Sequence, residues 1–364
     1  MHPKENDVLK HIKDNPFISQ TELAKKVGLT SSSVAAIISD LVKKEFIQGQ
    51  AYVLNAEYPI VCIGAANLDR KFFVDEELIH GTSNPIQSAQ SVGGVARNIG
   101  ENLGRLGESV ALITARGDDS EWQTIHDLSA PYINLDFAEY IDGQSTGCYT
   151  ALISHQGEME YGLADMNIYD YLTPEVLIKQ TYILKRAKCI IADLNTPKVS
   201  LDFLCAYAEK HDIKLVLIPV SGPKMNRLPD NLNPVDWLIV NCDETETHFN
   251  IKINSDEELL RSAAMWNDEG VSHVIVTNGV KSIAYSEKDG GKVYSIIPSD
   301  NVVDVTGAGD SFSSAIVHGW LKGYPIDDIV KMAMMNSKKT IETPYTVRQD
   351  LTEKQLIKDM EEVK

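Results

Sequence analysis

Chemistry is most legible in VVDVTGAGDSFSSAIVHGW, residues 302–320. A strand-like run leads into Gly307-Ala308-Gly309, and Asp310 opens an apolar helical stretch. Two glycines let the backbone turn tightly and present its N–H groups, and a helix N-terminus adds positive potential, so the segment reads as an anion hole. Asp310 sits at its rim, an acidic residue where an anion must lie. A general base fits that placement: it would take a proton from a hydroxyl as the oxygen attacks phosphorus, while backbone amides offset the charge growing on the transferred group. Read alone, the same residues also make an ordinary capped turn. A second glycine-rich element, VGGVARNIGENLGRLG (92–107), sets Gly93-Gly94 ahead of a helix carrying Asn98. Its glycine spacing is not GxGxxG, and no GxxxxGK[ST] occurs, which argues against dinucleotide and P-loop sites.

These residues need elements to hold them. From Tyr58 onward, short apolar runs alternate with amphipathic helices. Strands are predicted at 60–66, 109–115, 188–193, 214–220, 237–240 and 273–277, and helices at 94–106, 199–211, 256–269, 309–322 and 326–341. Apolar strands separated by helices predict a mostly parallel sheet covered on both faces. The stretch 145–163 instead alternates and turns at Gln156-Gly157, which predicts an antiparallel hairpin able to serve as a lid.

Residues 4–54 read as a separate helical unit. Val8, Leu9 and Ile12 lie at helical spacing before Asn15-Pro16; Ser19 and Glu22 form a capping-box pattern; Gly28 permits a turn; and Thr30 caps a third helix with Val34, Ile37, Ile38 and Leu41 on one face. FIQGQAYVL (46–54) then predicts a hairpin around Gly49. The order, and SQTELAKKVGLTSSSVAAIISDL in particular, resembles the winged helix-turn-helix superfamily. That implies a head at 1–57, with two uses open: DNA binding, or a fold kept for packing or dimerisation. TSSSVAAIISDL holds no Lys or Arg, and Asp40 is unfavourable beside phosphate.

Composition bounds the rest. The chain has 364 residues, 43% hydrophobic and 24% charged, which excludes a disordered or collagen-like protein. Its 34 basic and 52 acidic side chains give net −18, spread unevenly: +1 over the first fifty residues and −19 beyond. Such an acidic body is unsuited to coating nucleic acid or an anionic membrane. Cys62, Cys148, Cys189, Cys205 and Cys242 are far apart without a CxxC pair and read as reduced thiols. The nine histidines show no zinc-ligand spacing. A polar start and the lack of a long apolar run predict a cytoplasmic protein without a membrane span.

Together, the two glycine-rich elements closely resemble the signatures of the ribokinase-like (PfkB) carbohydrate and nucleoside kinases, a resemblance running from residue 58 almost to the C-terminus. It implies an α/β fold over 58–364, a mostly parallel sheet with helices on both faces and a small β lid, preceded by the winged helix-turn-helix. It implies catalysis by Asp310 with Gly307, Ala308 and Gly309, and acceptor binding by Asp69 of GAANLDR with Gly93, Gly94 and Asn98. Asn241 and Glu244 of NCDETE match the N-x-x-E element that orders Mg²⁺ around ATP phosphates, often through water. Thr277 and Gly279 match the ATP-binding strand end, and Asn336 a residue near the nucleotide base. Asp304, beside Thr306, falls where some members hold a monovalent cation such as K⁺. Ser282 stands where a glycine is frequent, and Ile218 where an Asp is frequent.

Four segments, GGVARNIGENLGRLG, ADMNIYD (164–170), IIADLN (190–195) and PVSGPK (219–224), resemble the pseudouridine kinase branch more than ribokinase or fructokinase. The implied reaction is phosphorylation of the pseudouridine 5′-hydroxyl by ATP, with Asp165 and Asn167 near the nucleoside and a homodimer formed through lid strands. Two alternatives stand beside it: a kinase of another nucleoside or sugar, and a transcription regulator using the kinase fold as a ligand sensor.

Overall fold

A computed structural model describes residues 2–16, 18–49 and 59–362. The chain divides into two compact units, one N-terminal and one beginning at Tyr58. The head consists of helices Pro3–Asp14, Gln20–Val27 and Ser31–Lys43. Ser19 Oγ accepts from the Glu22 N–H at 3.1 Å, Thr30 Oγ1 accepts from the Ser33 N–H at 3.2 Å, and Gly28 ends the second helix in the left-handed region at φ 66°. These are the caps the sequence predicts, and they satisfy helix N–H groups that have no partner within the helix. Val8, Leu9, Leu23, Ala24, Val27, Val34, Ile38 and Leu41 form the head's core. Asp40 is neutralised by Lys44 at 3.0 Å. The expected 46–54 hairpin lies largely outside the described residues, and its first four positions carry no strand.

The second unit is built on an eight-stranded sheet in the order Gly290–Ser295, Ser282–Glu287, His273–Thr277, Trp237–Asn241, Lys214–Ile218, Cys189–Asp193, Ile60–Ile63, Val110–Ile113. The six strands from His273–Thr277 to Val110–Ile113 are parallel, and the two remaining strands extend the sheet antiparallel. Central strands such as IVCI and CIIAD are wholly buried, as residues covered on both faces must be. Apolar residues fill two layers, one on each side of the sheet. The predicted helices appear as Val95–Arg105, Lys198–His211, Asp256–Asp268, Ala308–Lys322 and Ile326–Ile341. No described helix is long and apolar enough to cross a membrane, and all five cysteines are free.

Three predicted strands end early, the one expected over 214–220 at Ile218. The run expected over 60–66 stops at Ile63, and the chain begins a new strand at Asn67 in a second sheet. The break falls at Gly64, where the Asp193 carboxylate occupies the space of a Cβ. Likewise 109–115 divides into Val110–Ile113 and the short strand Ala115–Arg116. The second sheet runs Ile86–Gly93, Asn67–Val74, Cys148–Ile153, Met159–Asp165. Its last two strands are the predicted hairpin, turning through Gly157 at φ 84°. The first two, IQSAQSVG and NLDRKFFV, are too polar to read as buried strands and were not anticipated.

Gly94 joins this lid to the helix Val95–Arg105. Its φ is 98°, and a Cβ there would run into the Ala65 carbonyl. Gly94→Ala therefore combines backbone strain with a clash that neither rigid segment can relieve. The expected cost is about 2–4 kcal/mol, read as a thermal midpoint several degrees below wild type, whereas Gly107→Ala, at φ 89° but with open space around it, should lose only the backbone-strain part, about 1–2 kcal/mol.

Candidate active site

Five elements converge at the C-terminal ends of the central strands. The chain leaves Ile60–Ile63, turns through Gly64-Ala65-Ala66 and enters the lid at Asn67, which carries Asp69 two residues on. Antiparallel pairing of Asn67–Val74 with Ile86–Gly93 sets Gly93 opposite Asn67, and the Asp69 carboxylate lies where a Gly93 Cβ would be. Gly94 then starts the helix that places Asn98 in its first turn. From the far end of the sequence, Ala308–Lys322 packs beside that helix, and Asn98 Nδ2 donates to Asp310 Oδ2 at 2.7 Å.

The start of Ala308–Lys322 has the form the sequence implies. Gly307 is its N-cap at φ 82°, and a Cβ there would collide with the Thr346 carbonyl oxygen. No side chain caps the helix. The Ser311 N–H donates to Gly307 O at 2.9 Å and the Ala308 N–H to Val305 O at 3.2 Å, while the N–H groups of Gly309 and Asp310 have no acceptor among the described residues. Open space surrounds Gly309. Two free amides at a helix N-terminus make an anion site.

Asp310 titrates far above the carboxylate range, at about 7. Lost hydration is the main cause; Asp193 and Asp69 push it further, while the Asn98 amide and the Arg97 guanidinium act the other way. Asp69 rises to about 6 by the same loss of hydration, opposed by a 2.6 Å hydrogen bond from Asn67 Nδ2 and by Lys71 and Arg97. Arg97, almost wholly buried, donates to Asn98 Oδ1 at 3.0 Å and to Ser129 Oγ at 2.9 Å and pairs with Glu101. It fixes the Asn98 amide so that the NH₂ faces Asp310.

Asp193 is fully buried. One oxygen accepts from the Ala65 and Ala96 N–H groups, each at 3.0 Å, and the other from the Asn195 N–H at 2.8 Å. It ties the end of the first strand to the start of the Asn98 helix. Asp193, within IIADLN, and Lys71 lie beyond what spacing marks: three of the donors to Asp193 are backbone N–H groups, and Lys71 meets a partner 233 residues away.

The nucleotide-side residues also gather. Asn241 and Thr277 end adjacent strands in register. Gly279, at φ 55°, faces open space. Asn241 and Glu244 form a capping box: Asn241 Oδ1 accepts from the Glu244 N–H and Glu244 Oε2 from the Asn241 N–H, both at 2.8 Å. Glu244 is only 3% exposed, has no cationic partner, and is pushed to about 7 by lost hydration. A buried carboxylate lacking positive charge suits a divalent ion that keeps its waters, with Asn241 beside it. No group of three or more His, Cys, Asp or Glu among the described residues could hold a metal by itself, so phosphate oxygens would have to complete the shell.

Three expected positions come out differently. Asn336 is wholly buried and donates to Asn102 Oδ1 at 3.1 Å and Ser311 O at 2.8 Å, so it links three helices instead of facing a nucleotide. Asp165 pairs in register with Cys148, and Cys148 with Leu68; it is one residue out of phase with Asp69, and its side chain leaves the opposite face of the lid. Asp304 has both carboxylate oxygens taken by donors of the chain, Lys71 Nζ on one and Thr306 on the other. Asn167, by contrast, is exposed in a turn that Tyr169 anchors by donating to Ala66 O at 2.5 Å, beside the entry to the lid.

The chain is an ATP-dependent phosphotransferase. Residues 59–352 match the pfkB family carbohydrate kinases, and the chain belongs to that family. Residues 1–48 match the winged helix-turn-helix DNA-binding family. The chain is 31% identical over 294 residues to the pseudouridine kinase of Escherichia coli K12, covering 80% of this chain and 93% of that one. It is 29% identical over 335 residues to the uncharacterized sugar kinase YeiI of the same organism, covering 92% of each. The ribokinase of Arabidopsis thaliana, solved with ribose and ATP, superposes with a TM-score of 0.74 at 18% identity, over 84% of this chain and 99% of that one. Kinases of this family use ATP with a divalent metal.

Were Asp310 to act as a general base, it would have to be unprotonated, and kcat/KM is then expected to fall as pH drops through about 7. Asn98 lowers the Asp310 pKa, and Asn98→Ala should move the acidic limb of the pH–rate profile to higher pH. Stability should show the opposite face of the same burial. The folded-state pKa lies above the unfolded one, so stability present below the ordinary carboxylate range is lost as pH rises through about 7. Asp310→Asn should therefore be inactive yet melt above wild type at pH 8, with the difference disappearing at pH 4.

Proposed function

We propose that the body transfers the γ-phosphoryl group of ATP to the 5′-hydroxyl of pseudouridine. The Asp310 carboxylate, held by Asn98 beside two unpaired helix amides, carries the reading that a hydroxyl is deprotonated here and an anion received. Similarity to the E. coli pseudouridine kinase over most of both chains supports the choice of nucleoside. Asp69 and Asn98 hold the ribose beside Gly93 and Gly94, whose missing side chains make room for the Asp69 carboxylate and the Ala65 carbonyl. Asn167 offers an amide to the polar edge of the base. Asp310 accepts the 5′-hydroxyl proton as that oxygen bonds to the γ-phosphorus, the bond to the bridging oxygen breaks, and ADP departs with its electron pair. The Gly309 and Asp310 N–H groups meet the charge on the moving phosphoryl group. Glu244 and Asn241 would hold the divalent ion, which when bound neutralises phosphate charge. Thr277 and Gly279 receive the nucleotide at the adjoining strand end.

ADP release measured with pseudouridine, uridine, ribose and fructose tests this directly. Pseudouridine should give the highest kcat/KM, and Asp310→Asn should lower kcat by about a thousandfold or more. Turnover of pseudouridine no faster than ribose rejects the substrate; undiminished turnover in the variant rejects the base.

We infer separately that the head binds DNA, on the ground of its family match and the exposed face of Ser31–Lys43, where Ser32, Ala36, Ser39 and Lys43 are accessible. Mobility shift of the protein's own promoter region should show a complex that weakens as salt rises. Equal affinity for unrelated DNA at every salt concentration would reject specific recognition.

A further inference from the structure

Lys71 and Asp304 lie 233 residues apart in the chain and meet at the active-site cleft, Lys71 Nζ donating to Asp304 Oδ2 at 2.5 Å. Lys71 is two residues beyond Asp69 on the lid strand and so shares its face. Asp304 is three residues before Gly307, in the segment that enters the anion hole. Its other oxygen accepts from the Thr306 N–H at 2.9 Å and the Thr306 hydroxyl at 2.7 Å, which shapes the turn ahead of Gly307. The Val303 N–H donates to Ile341 O at 2.8 Å and roots this segment on the helix Ile326–Ile341. On the opposite face of the lid strand, Arg70 pairs with Glu121 of the helix Ser120–Ser129. Successive basic residues thus pin one strand from both sides.

The pair is partly exposed, and ion pairs of that kind add little to global stability. Its position is what matters: it joins the strand carrying one acceptor-facing carboxylate to the loop carrying the anion hole. It also bears on the cation expected at Asp304. That carboxylate already has an ammonium on one oxygen and two donors on the other, and its pKa is held low by Lys71 and Thr306 despite partial burial. A monovalent metal ion does not fit there as a further partner.

We propose that Lys71 is the catch of the lid, a positioning residue that locks the acceptor-bearing strand to the anion-hole loop and supplies with its own ammonium the counter-charge to Asp304. This rests on reading Gly307–Asp310 as the phosphoryl-transfer site. Neutralising either partner frees the lid, so Asp69 and Asp310 no longer hold one acceptor in one geometry.

The full-length Lys71→Met, Asp304→Asn and double variants test it. Hydrogen exchange, measured without any substrate, should quicken over 67–74 and 301–307 in each single variant and no more in the double, while Cys189–Asp193 stays protected as in wild type. Unchanged exchange in those two segments overturns the catch whatever the substrate proves to be. In ADP-release assays with pseudouridine and with ribose, kcat/KM for the acceptor actually turned over should fall about tenfold in each single variant and by the same factor in the double. Multiplied losses would mean the two side chains act independently and overturn the pairing. Lys71→Arg should restore most of the rate. Wild-type rates should be equal in potassium chloride and choline chloride of matched ionic strength; several-fold activation by K⁺ overturns the assignment of Asp304's counter-charge to Lys71. If neither acceptor is turned over, the proposed function fails while the exchange result still decides the catch.

Discussion

Three carboxylates, Asp69, Asp193 and Asp310, share one poorly hydrated cleft with a single guanidinium, Arg97, that is itself already matched by Glu101. Most of the body's local architecture can be derived from that crowding. Asp193 is tolerable because three backbone N–H groups turn toward it, and they can do so only if the chain bends at Gly64 and the next helix starts close by at Gly94. Asp310 is tolerable because Asn98 donates to it, and Asn98 points that way because Arg97 occupies its oxygen. Asp69 has Asn67 and the nearby Lys71. Each compensation fixes one element relative to another, so the sheet end, the glycine-led helix and the lid strand are aligned by the same demand for hydrogen bonds.

The body's strong acidity is consistent with a protein that handles phosphate. Phosphate can be met by amides at a helix start and by a metal ion brought with the nucleotide, neither of which requires net positive charge. The basic side chains nearest the cleft, Arg97 and Lys71, are each committed to an acidic partner and orient parts of the chain.

Much of this was legible in the sequence, for identifiable reasons. Central strands such as CIIAD are apolar on both faces and announce themselves, and the GAGD turn needs glycine at a position where no other residue fits. The head's helices are marked by Ser19, Gly28 and Thr30. The lid's first two strands are hard to read because burial is confined to their ends, at Leu68, Val74 and Val92, and the residues between are mostly polar or part-exposed. Asp193 was hidden because its partners are backbone atoms. Asn336, placed near the nucleotide base by the resemblance alone, is wholly buried and completes a chain of amides with Asn102 between helices, a contact set by long-range packing that no sequence pattern shows. Asp165 failed for a simpler reason: strand register, set by long-range pairing, decides which face a side chain takes, and one residue of phase reverses it.

The helix beginning at Ala308 starts on a glycine and has no side chain to cap it. In an ordinary protein that is a defect to be repaired by serine or aspartate. Here the Gly309 and Asp310 N–H groups are left without an acceptor among the described residues, and on the proposed reading a phosphoryl oxygen of the substrate would be that acceptor. On that reading the arriving phosphoryl group would supply the hydrogen bonds that the sequence leaves out, and its departure would return the same two amides to water.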